Sequence, residues 1–353
     1  MIRIVIIEDS NVVANLLKII IEQQPDMQVI GHAANGRDGV RMVAELRPDL
    51  VTMDIRMPEM DGFEATREIM HNHPVPIVVV SSAVNDLELR TTFRAIEEGA
   101  LWVIEKPPAI DAPGFEKIRR DLIDTLRAMA TVPVMRKRHR DSAFCTRPAA
   151  PAGRIRAYEI VVVGTSTGGP KALADLLHTL PGHFPLPIVV VQHISPGFVS
   201  GLAVWLQEQT RLRVKLAENN EALLPGTVYI APDGQHLEVH RAAARLQARF
   251  RAGHKDSVFC PAINPLFEST AHSCGHNAIG LLMTGMGCDG ATGLLALRRS
   301  GSHTLAQDPA DCSVSSMPQA ALGLEAVDEV ARIDELGQKL VSLTTPGTLG
   351  AAK

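Results

Sequence analysis

The sequence predicts an α/β protein made of two doubly wound domains, each built on a parallel sheet. Two observations lead to this prediction. Short apolar runs alternate with amphipathic stretches in both halves of the chain, and the alternation breaks once, between residues 129 and 156. Such alternation is typical of strand–helix units that form a parallel sheet with helices on both faces. A length of 353 residues also fits about two domains.

Residues 1–128 contain five strand–helix pairs, which predict one open parallel sheet. The predicted strands are IRIVII, MQVIG, DLVTMD, IVVVS and LWVIEK. The predicted helices carry apolar residues at helical spacing. They are NVVANLLKIIIEQ, GRDGVRMVAEL, GFEATREIMHN, NDLELRTTFRAIEEG and GFEKIRRDLIDTLRAM.

Residues 129–156 are predicted to be an interdomain linker, because they are rich in Pro, Ala and Arg and have no sustained periodicity. The basic run Arg136–Arg140 either contacts an acidic partner or is simply solvated, and the linker composition favours solvation.

A second α/β pattern occupies residues 157–346. Its predicted strands are EIVVVG, PIVVVQH, RVKLA, TVYIAP, HNAIGLLMTG and SHTLAQ, and its predicted helices lie at 170–180, 197–209, 263–274, 290–299, 317–323 and 333–343. The stretch 227–250 resembles a hairpin inserted into this alternation.

Composition and charge restrict the class of protein. The formal net charge of -4 argues against a nucleic-acid partner, which usually selects a basic surface. The start MIRIVIIED fits neither a signal peptide nor a membrane span, so we expect a cytoplasmic protein without direct membrane insertion. The five cysteines are odd in number and lack CxxC spacing, which fits reduced thiols.

The segment HSCGH is a candidate metal site in the second half. His272 and His276 stand four residues apart, as zinc ligands on a helix do, with Cys274 between them. No acidic partner completes an HExxH pattern, and we interpret these histidines as residues at a helix end.

Polar side chains stand at the ends of the predicted strands of the first half. Glu8 and Asp9 end the first strand, Asp54 the third and Ser81 the fourth, and Lys106 follows the fifth. Active sites of doubly wound sheets lie at this edge, so these groups are expected to meet. Three converging carboxylates repel one another and favour Mg²⁺, while a lysine and a hydroxyl beside them can hold an anion. We therefore predict that Asp54 is a nucleophile that forms an acyl phosphate.

The stretches IIEDS, MDIRMPEMDG, VVVSS and EKPP resemble the receiver domain of two-component response regulators, over essentially all of residues 1–128. The resemblance implies a flavodoxin-like fold, a Mg²⁺ ion for phosphorylation and a histidine kinase as phosphodonor. The site residues that it implies are Asp54 as phosphoacceptor, Asp9, Asp54 and the backbone carbonyl of Arg56 as magnesium ligands with Glu8 nearby, and Ser81 and Lys106 as sensors of the phosphoryl group.

In the second half, VVVGTSTGGPKAL has the form strand, tight turn, helix. It matches neither a dinucleotide loop nor a P-loop, and its literal match is G-x-S-x-G at 164–168. Ser166 would then stand at a sharp turn beside N–H groups that can hold an oxyanion. A phosphate cradle and a nucleophilic serine both remain open on this motif alone.

Two further strand ends favour the nucleophile. His193 ends the next apolar strand, and Asp289 lies in a glycine-flanked loop after a later one. Taken singly, His193 fits a packed histidine equally well, and Asp289 fits an N-cap better. Together with Ser166 they predict a triad with His193 as general base and acid and with Asp289 holding its tautomer. The chain order Ser–His–Asp differs from that of α/β hydrolases.

The segments GTSTGGP, QHISPGF, GMGCDGATG and AQDPADCSVSSMPQAAL resemble, in the same order, the catalytic domain of the chemotaxis protein-glutamate methylesterase, CheB. The resemblance implies a Rossmann-like three-layer α/β hydrolase domain with an inserted hairpin and no cofactor for the esterase. The residues that it implies are Ser166, His193 and Asp289 as the catalytic triad and the backbone N–H groups of Thr167 and Met286 as oxyanion donors.

What this resemblance implies is a phosphorylation-activated serine hydrolase. It would demethylate glutamyl methyl esters of methyl-accepting chemoreceptors and deamidate receptor glutamines. Two residues and one short segment depart from the family pattern. They are Val103 in place of a switching aromatic, the segment Pro261–Asn264 (PAIN), and Cys288 before Asp289, which we interpret as a packing residue.

Other function classes are weaker on the sequence. An esterase-like half that only docks on receptors or kinases would not need an intact triad. A DNA-binding regulator would need a basic recognition helix, which the second half lacks. A relative with the same chemistry in a pathway other than chemotaxis stays open, because the difference lies in the partner.

Overall fold

The structure is a computed structural model that describes residues 1–82, 86–134, 158–253 and 259–344, with the backbone alone at 86–91. Residues 135–156 of the predicted linker, including Arg136–Arg140, lie outside the described residues. The chain divides into two compact units, one containing residues 1–137 with 194–205 and the other residues 138–193 with 206–353.

The first half of the chain alternates strand and helix without interruption. Its elements are β1 (Ile2–Ile7), α1 (Asn11–Glu22), β2 (Met27–Ala33), α2 (Gly36–Leu46), β3 (Leu50–Met53), α3 (Gly62–Asn72), β4 (Ile77–Ser81), α4 (Asp86–Glu98), β5 (Trp102–Glu105) and α5 (Phe115–Met129). Each of the first three helices is capped by the residue before it, whose side chain accepts a backbone N–H of the first turn. These capping residues are Ser10, Asn35 and Asp61.

The five strands form a parallel sheet in the order β2-β1-β3-β4-β5. This is the flavodoxin-like order, and it brings the carboxyl ends of β1, β3, β4 and β5 to one edge. All of β3 and β4 is buried, as strands covered by helices on both faces should be.

The second half continues the alternation with one antiparallel interruption. Its elements are β6 (Ile160–Thr165), α6 (Gly169–Thr179), β7 (Ile188–Gln192), α7 (Val199–Gln209), β8 (Arg213–Leu216), β9 (Thr227–Ile230), β10 (Gln235–Ala242), β11 (Arg245–Ala252), α8 (Ile263–Cys274), β12 (Ala278–Leu282), α9 (Ala291–Arg299), β13 (His303–Gln307), α10 (Ser316–Gly323), β14 (Glu329–Ala331) and α11 (Ile333–Thr344). Helix α7 is divided between the two units.

Seven strands form a parallel sheet in the order β14-β13-β12-β6-β7-β9-β8. The chain proceeds outward from β6 to β7 on one side and returns to β12 on the other. The strand order therefore reverses between β6 and β12, and the crevice at the carboxyl ends there is where doubly wound folds bind ligands. The predicted fold class is confirmed.

Two details of the sequence prediction are wrong. The hairpin predicted at 227–250 is instead β10 and β11, since β9 belongs to the parallel sheet and pairs with β7 and β8. The edge strand β14, which pairs with β13, was not predicted, because its three residues are too few to show a period. Each described helix is too short or too polar to cross a membrane.

The hairpin contributes to the core of the second half. Leu237 and Val239 of β10 are fully buried in a cluster with Leu266 and Phe267 of α8 and with residues of the sheet. The hairpin therefore covers α8, the helix that begins beside the candidate site.

We expect Leu237→Ala to lower the free energy of unfolding by about 2–5 kcal/mol, because it opens a cavity at a fully buried position. Leu324→Ala is the matched control, since Leu324 is 43% exposed and its truncation should cost about 0.5 kcal/mol or less. Urea unfolding of both variants measures the difference, and equal losses would contradict the packing role of the hairpin.

Candidate functional site

Ser166 lies at the crevice where the strand order reverses. It directly follows β6 and is 3% exposed. Its N–H donates to the carbonyl of Thr284 after β12 at 3.0 Å, and its carbonyl accepts from Nε2 of Gln192 at 2.8 Å. The backbone of Ser166 is thus held from both neighbouring strands.

Two glycines allow this close approach. Gly168 precedes α6 with φ +74°, a conformation that favours glycine, and a Cβ there would lie 2.5 Å from the side chain of Ser313. A Cβ on Gly285 would lie 2.7 Å from the Cβ of Ser166. The loop after β6 therefore lies directly against Ser313, and the loop after β12 directly against Ser166.

The N–H groups of Thr167 and Met286 are on these two loops. Within the described residues neither N–H donates to a protein acceptor. The carbonyl of Thr167 is fixed by Oγ1 of Thr284 at 2.9 Å. Two unpaired N–H groups beside a serine are the arrangement that stabilises a developing oxyanion.

His193 follows β7, the neighbour of β6. Its N–H donates to the carbonyl of Thr165 at 3.0 Å, and its ring Nε2 lies 3.0 Å from Oδ2 of Asp289. Nδ1 is buried and has no hydrogen-bond partner among the described residues. Because Nε2 is engaged by the carboxylate, Nδ1 is the nitrogen left to exchange a proton.

Asp289 is held at the start of α8. Oδ2 accepts the N–H of Ile263 at 2.7 Å, and Oδ1 accepts the N–H of Asn264 at 3.1 Å. Burial alone raises the pKa of Asp289, but the hydrogen bonds from His193 and from these two N–H groups outweigh burial and hold the pKa below its usual 3.8. The carboxylate is therefore ionised beside the histidine.

Sequence reasoning missed three residues of this site. Gln192 donates to the carbonyls of both Ser166 and His193, and a polar residue at the end of an apolar run was the signal for it. Oδ1 of Asn264 accepts the N–H groups of Gly290 and Gly293, so it caps α9 while Asp289 caps α8. Phe259 stacks on His193, and no sequence pattern pointed to it.

A second cluster lies at the sheet edge of the first half. Nζ of Lys106 lies 2.9 Å from Oδ2 of Asp54 and 2.9 Å from Oε2 of Glu8. Oδ1 of Asp54 accepts the N–H of Ile55 at 2.7 Å. Asp9, Arg56 and Ser81 line the same cavity. The structure thus brings all the residues predicted for this edge together.

This cluster is rich in negative charge, and two of its carboxylates, Glu8 and Asp54, are buried while Asp9 is exposed. Burial, followed by the charge of Asp54, raises the pKa of Glu8 to about 6. Burial also raises the pKa of Asp54, against the opposing effect of Lys106. One carboxylate oxygen from each of Glu8, Asp9 and Asp54 lies within 4.8 Å of the others, so the three can hold a metal ion.

The structure assembles no such group around HSCGH. Among the described residues, the acidic cluster is the one set of three that meets metal-ligand distances. Cys274 is buried and its pKa is raised to about 11 by burial, while His272 and His276 are exposed. Cys288 is exposed in the loop before Asp289, so its interpretation as a packing residue is wrong.

Comparison with known proteins assigns the chain to a family. The family model described as CheB methylesterase matches residues 161–340, and that of the response regulator receiver domain matches residues 4–112. The chain belongs to the CheB methylesterase family. The predictions of the family, of the fold class, and of a methylesterase and glutaminase joined to a receiver domain are confirmed.

Individual relatives cover almost the whole chain. A protein-glutamate methylesterase/protein-glutamine glutaminase of Methanospirillum hungatei is 41% identical over 92% of this chain and 93% of its own. One from Myxococcus xanthus is 42% identical over 96% of each. The crystal structure of the Thermotoga maritima CheB methylesterase catalytic domain, 35% identical, covers 53% of this chain and 98% of its own with a TM-score of 0.52.

We expect Asp289→Asn to lower the free energy of unfolding by about 1–3 kcal/mol at neutral pH, because the amide presents a donor to buried N–H groups. The folded-state pKa lies below 3.8, so the advantage of the wild type is present at neutral pH and is lost only as the pH falls through that lowered pKa. Urea unfolding at pH 7, 5 and 3 measures this. A difference that disappears between pH 7 and 5 would contradict it.

Proposed function

We propose that Ser166 is the nucleophile of the methylesterase. Its Oγ attacks the carbonyl carbon of a glutamyl methyl ester, and its proton passes to Nδ1 of His193. Burial of Ser166 at the crevice and the unpaired state of Nδ1 support this assignment. Asp289 keeps the other ring proton on Nε2 and stabilises the imidazolium that forms.

The N–H groups of Thr167 and Met286 receive the negative charge on the tetrahedral oxygen. As the intermediate collapses, His193 returns the proton to the methoxy oxygen and methanol leaves, so that the glutamyl group stays esterified to Ser166. A water molecule, deprotonated by His193, then attacks this acyl-enzyme, and His193 passes that proton to Oγ of Ser166 as the ester bond breaks and glutamate is released. With a glutamine substrate the same steps release ammonia, because amide and ester pass through similar intermediates.

The residues at the first sheet edge fit a magnesium-assisted phosphoacceptor. The donors there are oxygens, which Mg²⁺ prefers, and Glu8, Asp9, Asp54 and the carbonyl of Arg56 would hold the ion. Bound Mg²⁺ would supply charge neutralisation for the phosphoryl oxygens. Oδ of Asp54 accepts the phosphoryl group, and Lys106 and Ser81 contact it afterwards.

The partners follow from the two chemistries. We assign a histidine kinase as phosphodonor, methyl-accepting chemoreceptors as substrates, and an increase of methylesterase activity on phosphorylation. The domain limits in this proposal are residues 1–128 for the receiver, 129–156 for the linker and 157–346 for the esterase, in a cytoplasmic protein.

The single observation that supports the esterase mechanism most is the pair formed by Asp289 and Nε2 of His193 at 3.0 Å, with Nδ1 left unpaired. We expect Ser166→Ala and His193→Ala to lower methanol release from methylated receptor membranes at least about 1,000-fold, since each removes a group that acts in every turnover. Release is measured with wild type and with Ser342→Ala, an exposed serine of α11, as control. Full activity in Ser166→Ala would contradict the proposed nucleophile.

The receiver mechanism has a separate test. With a small-molecule phosphodonor such as acetyl phosphate, we expect Mg²⁺-dependent phosphorylation of the wild type and a rise in its methanol release. Asp54→Ala should show neither response, and a chelator should abolish both in the wild type. The control Asp111→Ala removes an exposed carboxylate outside the cluster. Phosphorylation of Asp54→Ala, read by mass spectrometry, would show that another residue is the acceptor.

A further inference from the structure

Phe259 covers one face of the His193 imidazole. The ring centroids lie 4.1 Å apart and the planes differ by 7°, which is a parallel stack. His193 is 4% exposed, whereas Phe259 is 38% exposed. A large apolar side chain that leaves this much surface in solvent contributes less to core burial than a fully buried one, whereas its stack on the histidine is a specific ring contact.

The plane of the imidazole ring is not fixed by its hydrogen bond alone. Its hydrogen bond to Asp289 holds one nitrogen, but rotation about the Cβ–Cγ bond can still change the plane of the ring and weaken that hydrogen bond. Nδ1, on the opposite side of the ring, has no partner among the described residues that would stop this rotation. A flat ring stacked against one face restricts the plane of the imidazole and with it the direction of Nδ1.

The same segment holds both sides of the histidine. Phe259 lies four residues before Ile263, whose N–H holds the Asp289 oxygen that contacts Nε2. The segment itself is anchored, because the N–H of Ala262 donates to Nδ1 of His236 at 3.1 Å, and His236 is 4% exposed. The stacking face and the hydrogen-bonding oxygen are therefore tied to one fixed stretch of backbone.

We propose that Phe259 is a positioning residue for His193. Its ring fixes the imidazole plane so that Nδ1 is directed at Ser166, and its π face stabilises the imidazolium formed when the serine proton is taken up. The inference rests on the proposed role of His193 as the base. Phe259 contacts no reacting atom and acts through the histidine.

The kinetic test compares Phe259→Leu, Phe259→Tyr and the wild type in the full chain, with methanol release from methylated receptor membranes. We expect Leu, which keeps apolar cover but loses the aromatic face, to lower kcat about five- to tenfold with KM changed less than twofold. Tyr should restore kcat. The control Phe250→Leu alters another partly buried phenylalanine, on β11, and should leave kcat unchanged.

A rise in KM at unchanged kcat in Phe259→Leu would make Phe259 a substrate contact and overturn the proposal. An equal effect of Phe250→Leu, or a failure of Tyr to restore kcat, would also overturn it. Thermal unfolding of each variant identifies a general loss of fold.

A second readout does not depend on activity. In ¹⁵N-histidine-labelled full chain at alkaline pH, with His193→Gln used for assignment, we expect wild-type His193 to carry its proton on Nε2 alone. In Phe259→Leu the ring can leave that plane, which weakens the hydrogen bond from Nε2 to Asp289, so the ¹⁵N shifts should move towards the average of the two tautomers. Unchanged shifts would overturn the proposal. If Ser166→Ala keeps full activity while Phe259→Leu alters the shifts, the proposed esterase mechanism fails and the stacking contact stands.

Discussion

Oδ2 of Asp289 accepts hydrogen bonds from two donors that are far apart in sequence, the imidazole of His193 after β7 and the N–H of Ile263 at the start of α8. Its second oxygen accepts the N–H of Asn264 and of Gly290. An ionised carboxylate at a helix N-terminus is favourable, because the unpaired N–H groups and the helix dipole both favour negative charge. The geometry of the site depends on this one group. Without it the start of α8, the loop before α9 and His193 would share no acceptor.

The carboxylates at the two sheet edges have different surroundings, which shift their pKa values in opposite directions. At the second edge Asp289 stands alone among N–H donors, so its pKa is low and the charge is stable without a cation. At the first edge burial raises the pKa of both Glu8 and Asp54, the charge of Asp54 adds to the rise at Glu8 and that of Asp9 to the rise at Asp54, and Lys106 compensates only in part. A carboxylate surrounded by donors serves as a fixed electrostatic partner. A crowded set of carboxylates instead favours a bound cation and a charge-neutralising reaction, which is what phosphoryl transfer requires.

The sequence alone predicted the elements that follow from hydrophobic periodicity and the polar residues that stand at strand ends. Long apolar runs such as that of β6 placed the strands, and the polar residue after each run placed Asp54, Ser166 and His193 at the sheet edges. The sequence did not predict contacts between residues that are distant along the chain. The hairpin limits were wrong because the Asp-Gly pair before β10 is typical of a hairpin turn, whereas the real turn lies at Ala243 and has no such signal. Phe259 stands in a stretch without periodicity, so only the folded loop shows its ring on the histidine.

The chain order of the proposed triad agrees with the sheet topology. The strand order reverses between β6 and β12, and the proposed nucleophile Ser166 follows β6, the first of these two strands along the chain. The proposed base, His193, follows β7, which is the neighbour of β6 on the side away from β12. The loop after β12 remains to bring the carboxylate, from the other side of the crevice. Because β7 precedes β12 along the chain, the order is Ser166, His193, Asp289. The backbone of Ser166 is held from both sides, because its N–H donates to the carbonyl of Thr284 after β12 and its carbonyl accepts from the side-chain amide of Gln192 at the end of β7.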